Sequence, residues 1–318
     1  MQTSLDIGVD VASKSVMVAC AAHSFAPRNV ANAHGALRIW LQTLPAGSRI
    51  GLESTGTYHE LLANLAHAAG LTVYVLNPRE IKKYAQAVGH RGKTDRLDAE
   101  VIARYVAHEH AELHAYVPRS AAQRRLDQLL KRRAKVVALQ TGLRQTWRGV
   151  PGLQAELAAV ATAYSRLLAR IDSLVEELLT ELVQVRIDAA RTGSIPGYGR
   201  RGSVAVAHAL QQLPFSSADA FIAHTGLDPR PQDSGEKRGR RRLSKRGPPA
   251  LRAVLHMCAM SASRTATWAP YYQRQLAKGL SGTAALAILA RKMARTAYAI
   301  CKNKTVFDPA RLSPAPLT

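Results

Sequence analysis

Four carboxylates in the first hundred residues stand where structure alone has little use for them. Asp10 ends an alternating run whose other members, Leu5, Ile7, Val9 and Val11, are apolar. Glu53 directly follows Ile50-Gly51-Leu52 and precedes Ser54-Thr55-Gly56, which places it at a strand terminus. Asp95 and Asp98, in Lys93-Thr94-Asp95-Arg96-Leu97-Asp98-Ala99, are three apart at a helix start and share a face. Oxygen ligands gathered from strand ends and one helix face suit hard divalent cations and leave coordination positions for phosphate and water. Two such ions, about 3.5 to 4 Å apart, would activate a nucleophile and stabilise the leaving oxygen in phosphodiester cleavage. Each carboxylate also has an ordinary reading. Asp95 suits the helix macrodipole, Asp98 could pair with Arg96 or Arg104, Asp10 could serve a turn and Glu53 a solvated strand end. Asp6 is assigned to the ordinary class, as a solvent-facing strand residue. All four together in one α/β region of a strongly basic chain are the more specific signal.

The elements that must position these groups follow from periodicity. Residues 4–21 read as strand, turn, strand, with the turn near Ser13-Lys14, and further short strands are expected at Ile50–Leu52 and Leu71–Leu76. Between the last two, Leu61, Leu62, Leu65 and Ala69 mark one helical face, and Leu97, Val101, Ile102 and Tyr105 mark another after Asp95. Strands alternating with helices predict an α/β domain over residues 1–115. From Arg119 to Val185 the period changes to 3.6, interrupted at Pro151-Gly152, and Leu157, Val160, Tyr164, Leu167, Ile171, Leu174, Leu178 and Val185 form a coiled-coil seam with a gap at Glu181, so 116–192 is expected to be a helical coiled-coil region. At 1.5 Å per residue, a helix over 153–190 would be a rod of roughly 57 Å that pairs with the preceding helix or with a second protomer. Residues 193–305 are expected to form an all-α domain with a cationic loop, and 306–318 a flexible tail. Ile195-Pro196-Gly197-Tyr198-Gly199 has the form of a helix-hairpin-helix turn that could approach phosphate, or of an ordinary helix–helix turn.

Charge narrows the partner. The 318 residues carry 44 Lys and Arg against 22 Asp and Glu, a formal +22, which calls for a polyanion. The stretch Arg119–Arg148 contributes nine cations, among them Arg124, Arg125, Lys131, Arg132 and Arg133, against Asp127 alone. A second cluster follows Asp233-Ser234-Gly235: Lys237, Arg238, Arg240, Arg241, Arg242, Lys245 and Arg246. Both are candidate phosphate contacts. Aromatic residues make up only 5%, so base stacking is not the main mode. Three scattered cysteines cannot build a disulfide framework, and no apolar run is long enough for a membrane span or signal peptide, so a cytoplasmic protein without a membrane partner is expected.

The order Ile7-Gly8-Val9-Asp10-Val11-Ala12-Ser13-Lys14, Leu52-Glu53-Ser54-Thr55-Gly56 and Lys93-Thr94-Asp95-Arg96-Leu97-Asp98-Ala99 resembles the DEDD tetrad of the RuvC-like, RNase H-fold transposases of the insertion sequence 110 and 1111 family. The last third resembles their second conserved domain through Ile195–Gly199, Gly226-Leu227-Asp228-Pro229-Arg230, Ser234-Gly235-Glu236-Lys237, Ser244-Lys245-Arg246-Gly247 and Leu251-Arg252. Pro248-Pro249 departs from the polar residues usual after the Lys-Arg-Gly. The resemblance covers residues 5 to about 265. It implies a RuvC-like domain with Mg²⁺ or Mn²⁺ held by Asp10, Glu53, Asp95 and Asp98, a helical coiled-coil linker that dimerises, and a C-terminal domain with Ser234 as nucleophile. Without it, Asp233-Ser234-Gly235 reads only as a turn. It further implies a recombinase acting on DNA as a dimer or tetramer, guided by an element-encoded RNA. A Holliday-junction resolvase using the carboxylates alone and a non-catalytic nucleic-acid-binding regulator are the alternative readings.

Overall fold

The computed structural model describes residues 4–54, 56–89, 92, 94–230 and 242–312, in two compact units, residues 1–119 and 120–318. In the first unit, strands β1 (Asp6–Val11), β2 (Ser15–Cys20), β3 (Arg28–Ala31), β4 (Arg49–Glu53) and β5 (Thr72–Leu76) form one sheet in the order β3-β2-β1-β4-β5. β2 is antiparallel to both β1 and β3, while β1, β4 and β5 run parallel. Strand alternation divides the side chains between two faces. Ile7, Val9, Val11, Ile50 and Leu52 pack against Leu37, Trp40 and Leu41 of α1 (His34–Gln42) and Leu62, Ala63 and Ala66 of α2 (His59–Ala68). The opposite face meets α3 (Pro78–Ala87) and α4 (Asp95–Glu109), where Tyr74, Leu76, Ile81, Val101, Ile102 and Val106 form a second core.

That second face explains two glycines. A Cβ on Gly8 would lie 2.1 Å from the Ala99 carbonyl oxygen and 2.2 Å from the Ala103 amide, so α4 can rest directly on β1 only at glycine. Gly51, paired with Gly8 across the sheet, admits Val106 and Ile102 in the same way. Periodicity did not anticipate β3, α1 or α3. β3 is four residues long and largely exposed, held by pairing with β2 rather than by an apolar pattern of its own. Asp6 is not a solvent-facing residue as expected. It accepts two hydrogen bonds from Arg49, Nε to Oδ1 and Nη2 to Oδ2 at 2.9 Å, because the parallel register sets the two residues side by side.

In the second unit, Ser120 and Gln123 form a reciprocal capping box that starts α5 (Ala121–Thr146). The chain turns at Pro151-Gly152 into α6 (Gln154–Glu181), and α5 and α6 pack together as a hairpin. The 153–190 rod is not continuous. Leu182, at φ −91° and ψ 61°, ends α6, and α7 (Val183–Gly193) begins there, next to the seam gap at Glu181. Nor do these helices stand apart as a linker: Leu126 of α5 and Val175, Leu178 and Leu179 of α6 share a core with Val185 of α7 and with Val204 and Ala207 of α8 (Arg200–Leu210). α9 (Ala218–Thr225), α10 (Pro249–Ala262), α11 (Ala269–Ala277) and α12 (Gly282–Lys302) complete the unit around Phe221, Leu255, Trp268, Leu289 and Met293. Among its described residues the only strands are a two-residue antiparallel pair, β6 (Pro229–Arg230) with β7 (Arg242–Leu243). Pro248-Pro249 is compatible with a helix start, Pro248 being the N-cap and Pro249 the first helical residue of α10. The expected tail docks at its beginning: the Phe307 amide donates to Ser194 Oγ at 2.8 Å, the Phe307 ring lies 5.8 Å from that of Trp268, and Leu312 packs on the core. Residues 313–318 lie outside the described residues. Cys20, Cys258 and Cys301 are free, and burial pushes the Cys258 and Cys301 thiols up to about 11 and about 12. Among the described residues no helix is long and apolar enough to cross a membrane.

Candidate functional site

Three of the four carboxylate positions are tied to one face of the N-terminal sheet. Val9 pairs with Leu52, so Asp10 and Glu53 are the next residues along two parallel neighbours. Asp10 has the parity of Gly8, and Glu53 that of Gly51, so both side chains leave the sheet on the side that α4 covers. Asp98 immediately precedes Ala99, the residue that rests on Gly8. Asp10, Glu53 and Asp98 are half-buried, whereas Asp95 is exposed in the same first helical turn. Thr94 starts that turn, its hydroxyl accepting from the Leu97 amide at 3.2 Å. Arg96 pairs with Glu100 at 3.0 Å rather than with Asp98. The side chains are gathered on one face without closing on a point: among the described residues, no three His, Cys, Asp or Glu are close enough to hold one ion. An all-carboxylate donor set nonetheless has the chemistry of a hard divalent site.

The loops beside this face are braced by a residue the sequence did not single out. Asn32 Nδ2 donates to the Ala12 carbonyl at 2.9 Å and to the Tyr58 carbonyl at 3.3 Å, joining the turn after β1 to the loop after β4. No periodicity marks an asparagine one residue past a short edge strand.

The cations of α5 divide into two kinds. Arg125 and Arg132 are exposed. Lys131 pairs with Asp127 at 2.6 Å, and Arg133 donates to both oxygens of Asp172 at 2.7 and 3.3 Å, with only 15% of its side chain exposed. Arg201 meets the same Asp172 at 2.8 Å, and Arg200 pairs with Glu176, so α6 supplies acids to α5 and α8. Arg133 is therefore an architectural ion pair in this structure. Arg124 is half-buried and engaged in an interaction of its own. Burial alone would raise the Asp127 carboxyl, but His208 and Lys131 beside it pull it down to about 2. Lys131 is the closer of these, the nearest His208 nitrogen being 3.9 Å away. Arg242, Lys245 and Arg246 are exposed beside the β6–β7 pair. Ser234, Lys237, Arg238, Arg240 and Arg241 lie outside the described residues.

The turn Ile195–Gly199 connects α7 to α8. Gly197, at φ +98°, stands so close to α10 that a Cβ would lie 2.4 Å from that of Ala262. Gly199 caps α8 without any side-chain hydrogen bond.

Residues 7–150 match a family model described as Transposase, of the DEDD IS110 type, and residues 189–273 match one described as Transposase IS116/IS110/IS902 family. The chain belongs to the IS110 family of insertion-sequence transposases. The transposase is also 26% identical over 318 residues to a pilin gene-inverting protein of Moraxella bovis, an alignment covering 95% of this chain and 97% of that protein. It is 28% identical over 297 residues to the transposase for insertion sequence element IS1328 of Yersinia enterocolitica, an alignment covering 81% of this chain and 85% of that protein. With the transposase for IS1111A of Coxiella burnetii it shares 27% identity over 58% of each chain. The first family match takes in all of the carboxylates and runs on through α5 of the transposase. The second begins in α7 and ends in α11.

Proposed function

We propose that this transposase cuts and exchanges DNA strands with the carboxylates of its N-terminal sheet and a serine of its C-terminal unit. The observation that carries the reading is the common orientation of Asp10 and Glu53, from adjacent parallel strands, toward the helix whose first turn holds Asp95 and Asp98. Three antiparallel strands followed by two parallel ones, in the order β3-β2-β1-β4-β5, support an RNase H-like, RuvC-like fold for this unit. Asp10, Glu53, Asp95 and Asp98 would hold Mg²⁺ or Mn²⁺, which supplies Lewis-acid polarisation of a phosphodiester. Ser234 would form the new bond to phosphorus as the bond to one DNA oxygen breaks. The serine proton passes to the departing oxygen, leaving a phosphoserine ester and a free hydroxyl end.

The exposed Arg125, Arg132, Arg242, Lys245 and Arg246, together with Lys237, Arg238, Arg240 and Arg241, would grip phosphates of DNA and of an element-encoded guide RNA, since such contacts do not distinguish the two. The reading includes a homo-oligomer acting in the cytoplasm. The test is strand exchange on a donor–target substrate in Mg²⁺ by Asp10→Asn, Glu53→Gln and Ser234→Ala proteins. All three should lose exchange while retaining nucleic-acid affinity within about twofold. Cleavage that survives in Ser234→Ala but fails in Asp10→Asn would instead mark a resolvase, and cleavage by none of them, wild type included, would mark a binding protein. Sequencing RNA that co-purifies with the full chain tests the guide.

A further inference from the structure

Resting on the assignment of Ser234 as nucleophile, we infer that Asp228, Ser244 and Arg252 form a latch that fixes both ends of the segment carrying it, and so act as positioning residues for strand cleavage. The chain leaves α9 at Gly226, which takes the left-handed conformation at φ +71°. Leu227 then plugs into the helical core, 4% exposed, its amide donating to the buried Thr225 hydroxyl at 3.3 Å. From there the outgoing strand β6 and the returning strand β7 are joined by pairing of Pro229 with Leu243 and of Arg230 with Arg242.

Next to that pair, the Ser244 amide donates to the Asp228 carbonyl at 2.9 Å, and the Ser244 hydroxyl donates to Asp228 Oδ1. The same hydroxyl oxygen accepts from the Arg246 amide at 3.4 Å. Lys245, in the left-handed region at φ +53°, donates its amide to the Gly226 carbonyl at 3.1 Å. A residue without Asn or Gly character is held in such a conformation only where its surroundings fix it.

Arg252, on the first turns of α10, completes the arrangement. Its Nη1 donates to the carbonyls of Gly247 and, at 3.3 Å, Thr225, one on each side of the loop base. Gly247 is pressed so closely on α9 that a Cβ would come within 1.8 Å of the His224 carbonyl oxygen. Two bonds to charged groups, Ser244 to Asp228 and Arg252 to the Thr225 carbonyl, thus cross between the outgoing and the returning chain, and such bonds are the stronger kind. Nothing in the helical packing requires them; Leu227 and Leu243 already supply apolar anchors. Their effect is to fix the spacing and orientation of the base from which residues 231–241 depart. In-line attack on phosphorus is sensitive to such positioning, with about 10²-fold loss for a misplacement near 1 Å.

Ser244→Ala, Asp228→Asn and the conservative Ser244→Thr test the latch in the full chain. The first two are expected to slow the single-turnover formation of the denaturation-resistant protein–DNA adduct by about 10- to 100-fold, with DNA affinity within twofold and the melting temperature nearly unchanged. Ser244→Thr, which keeps the hydroxyl, should restore most of the rate. Adduct formation within twofold of wild type in both Ser244→Ala and Asp228→Asn would overturn the inference. So would mapping of the adducted peptide to Ser244, because that serine would then be the nucleophile and not a latch. Persistence of the adduct in Ser234→Ala would refute the nucleophile assignment instead. The latch is then judged by tryptic cleavage of the folded protein after Lys237, Arg238, Arg240 and Arg241. Cleavage should accelerate several-fold in Ser244→Ala and Asp228→Asn and revert in Ser244→Thr; unchanged cleavage would overturn the latch by itself.

Discussion

In the N-terminal unit the candidate reactive groups hang directly from strands paired on both sides and from the first turn of a helix seated on glycine, whereas in the C-terminal unit the candidate nucleophile belongs to a segment joined to its helices through a two-residue strand pair and a few polar bonds. Register therefore decides orientation in the first unit: moving β4 by one residue against β1 would turn Glu53 to the opposite face. In the second unit, the described residues on either side of that segment are joined by discrete hydrogen bonds that single substitutions can remove one at a time. The same contrast extends to charge. On the sheet, Asp6 and Arg49 are neutralised in a cross-strand pair at the start of β1 and β4, toward the other end of those strands from Asp10 and Glu53. On α5, arginines divide between an ion pair that joins helices, Arg133 with Asp172, and exposed positions, Arg125 and Arg132, that can meet a polyanion.

The largest expected effect follows from the carboxylates. Asp10→Asn should lower strand exchange by at least about 10²-fold, the scale of losing a charge that acts only on the reacting groups, with nucleic-acid affinity unchanged in a filter-binding titration. Gly8→Ala sharpens the contrast next: forcing a methyl against the Ala99 and Ala103 backbone should destabilise the sheet unit by about 3 kcal/mol, seen as a lowered melting transition. A Gly8→Ala protein that melts like wild type would show that α4 does not depend on that close approach.

On α5 the two kinds of cation should separate cleanly. Arg125→Gln with Arg132→Gln should reduce the slope of log affinity against log salt by about one unit per lost phosphate contact. Arg133→Gln should leave the slope intact and lower stability by about 1 kcal/mol, as expected when one partner of a half-buried pair is removed. The smallest effect is a pH dependence. Asp127 is held below its unfolded value, to about 2, so its stabilisation is present above the unfolded carboxylate range near 4 and disappears as pH falls toward 2. The wild-type protein should melt above Asp127→Asn at pH 7 by an amount on the order of 1 kcal/mol, and the difference should vanish near pH 2.

Much of the sheet was readable from the chain because it rests on short-range alternation: Ile7, Val9 and Val11 against Gly8 and Asp10, and the apolar runs at Ile50 and Leu71. The carboxylates stood out for the same reason, as acids where the alternation leaves no structural need for them. β3 was not readable, because three of its four residues are exposed and its order comes from pairing with β2. The pairing of Arg133 with Asp172 was equally hidden, since it depends on how α5 folds back on α6 and not on the composition of either helix. The 3.5-residue seam on α6 suggested one long rod, yet Leu178 and Val185 are satisfied within this chain's own core on two separate helices. A seam records which face is buried, and leaves open what buries it.

The most direct test of the account is the metal dependence of the covalent intermediate. Wild-type protein and Asp10→Asn are incubated with a labelled donor–target substrate over a Mg²⁺ titration, and protein–DNA species that survive denaturation are quantified and mapped. An adduct at Ser234 is expected to rise with Mg²⁺ in the wild type and to be absent from Asp10→Asn at every concentration. An adduct formed equally by Asp10→Asn, or formed by wild type in chelator as readily as in Mg²⁺, would contradict it.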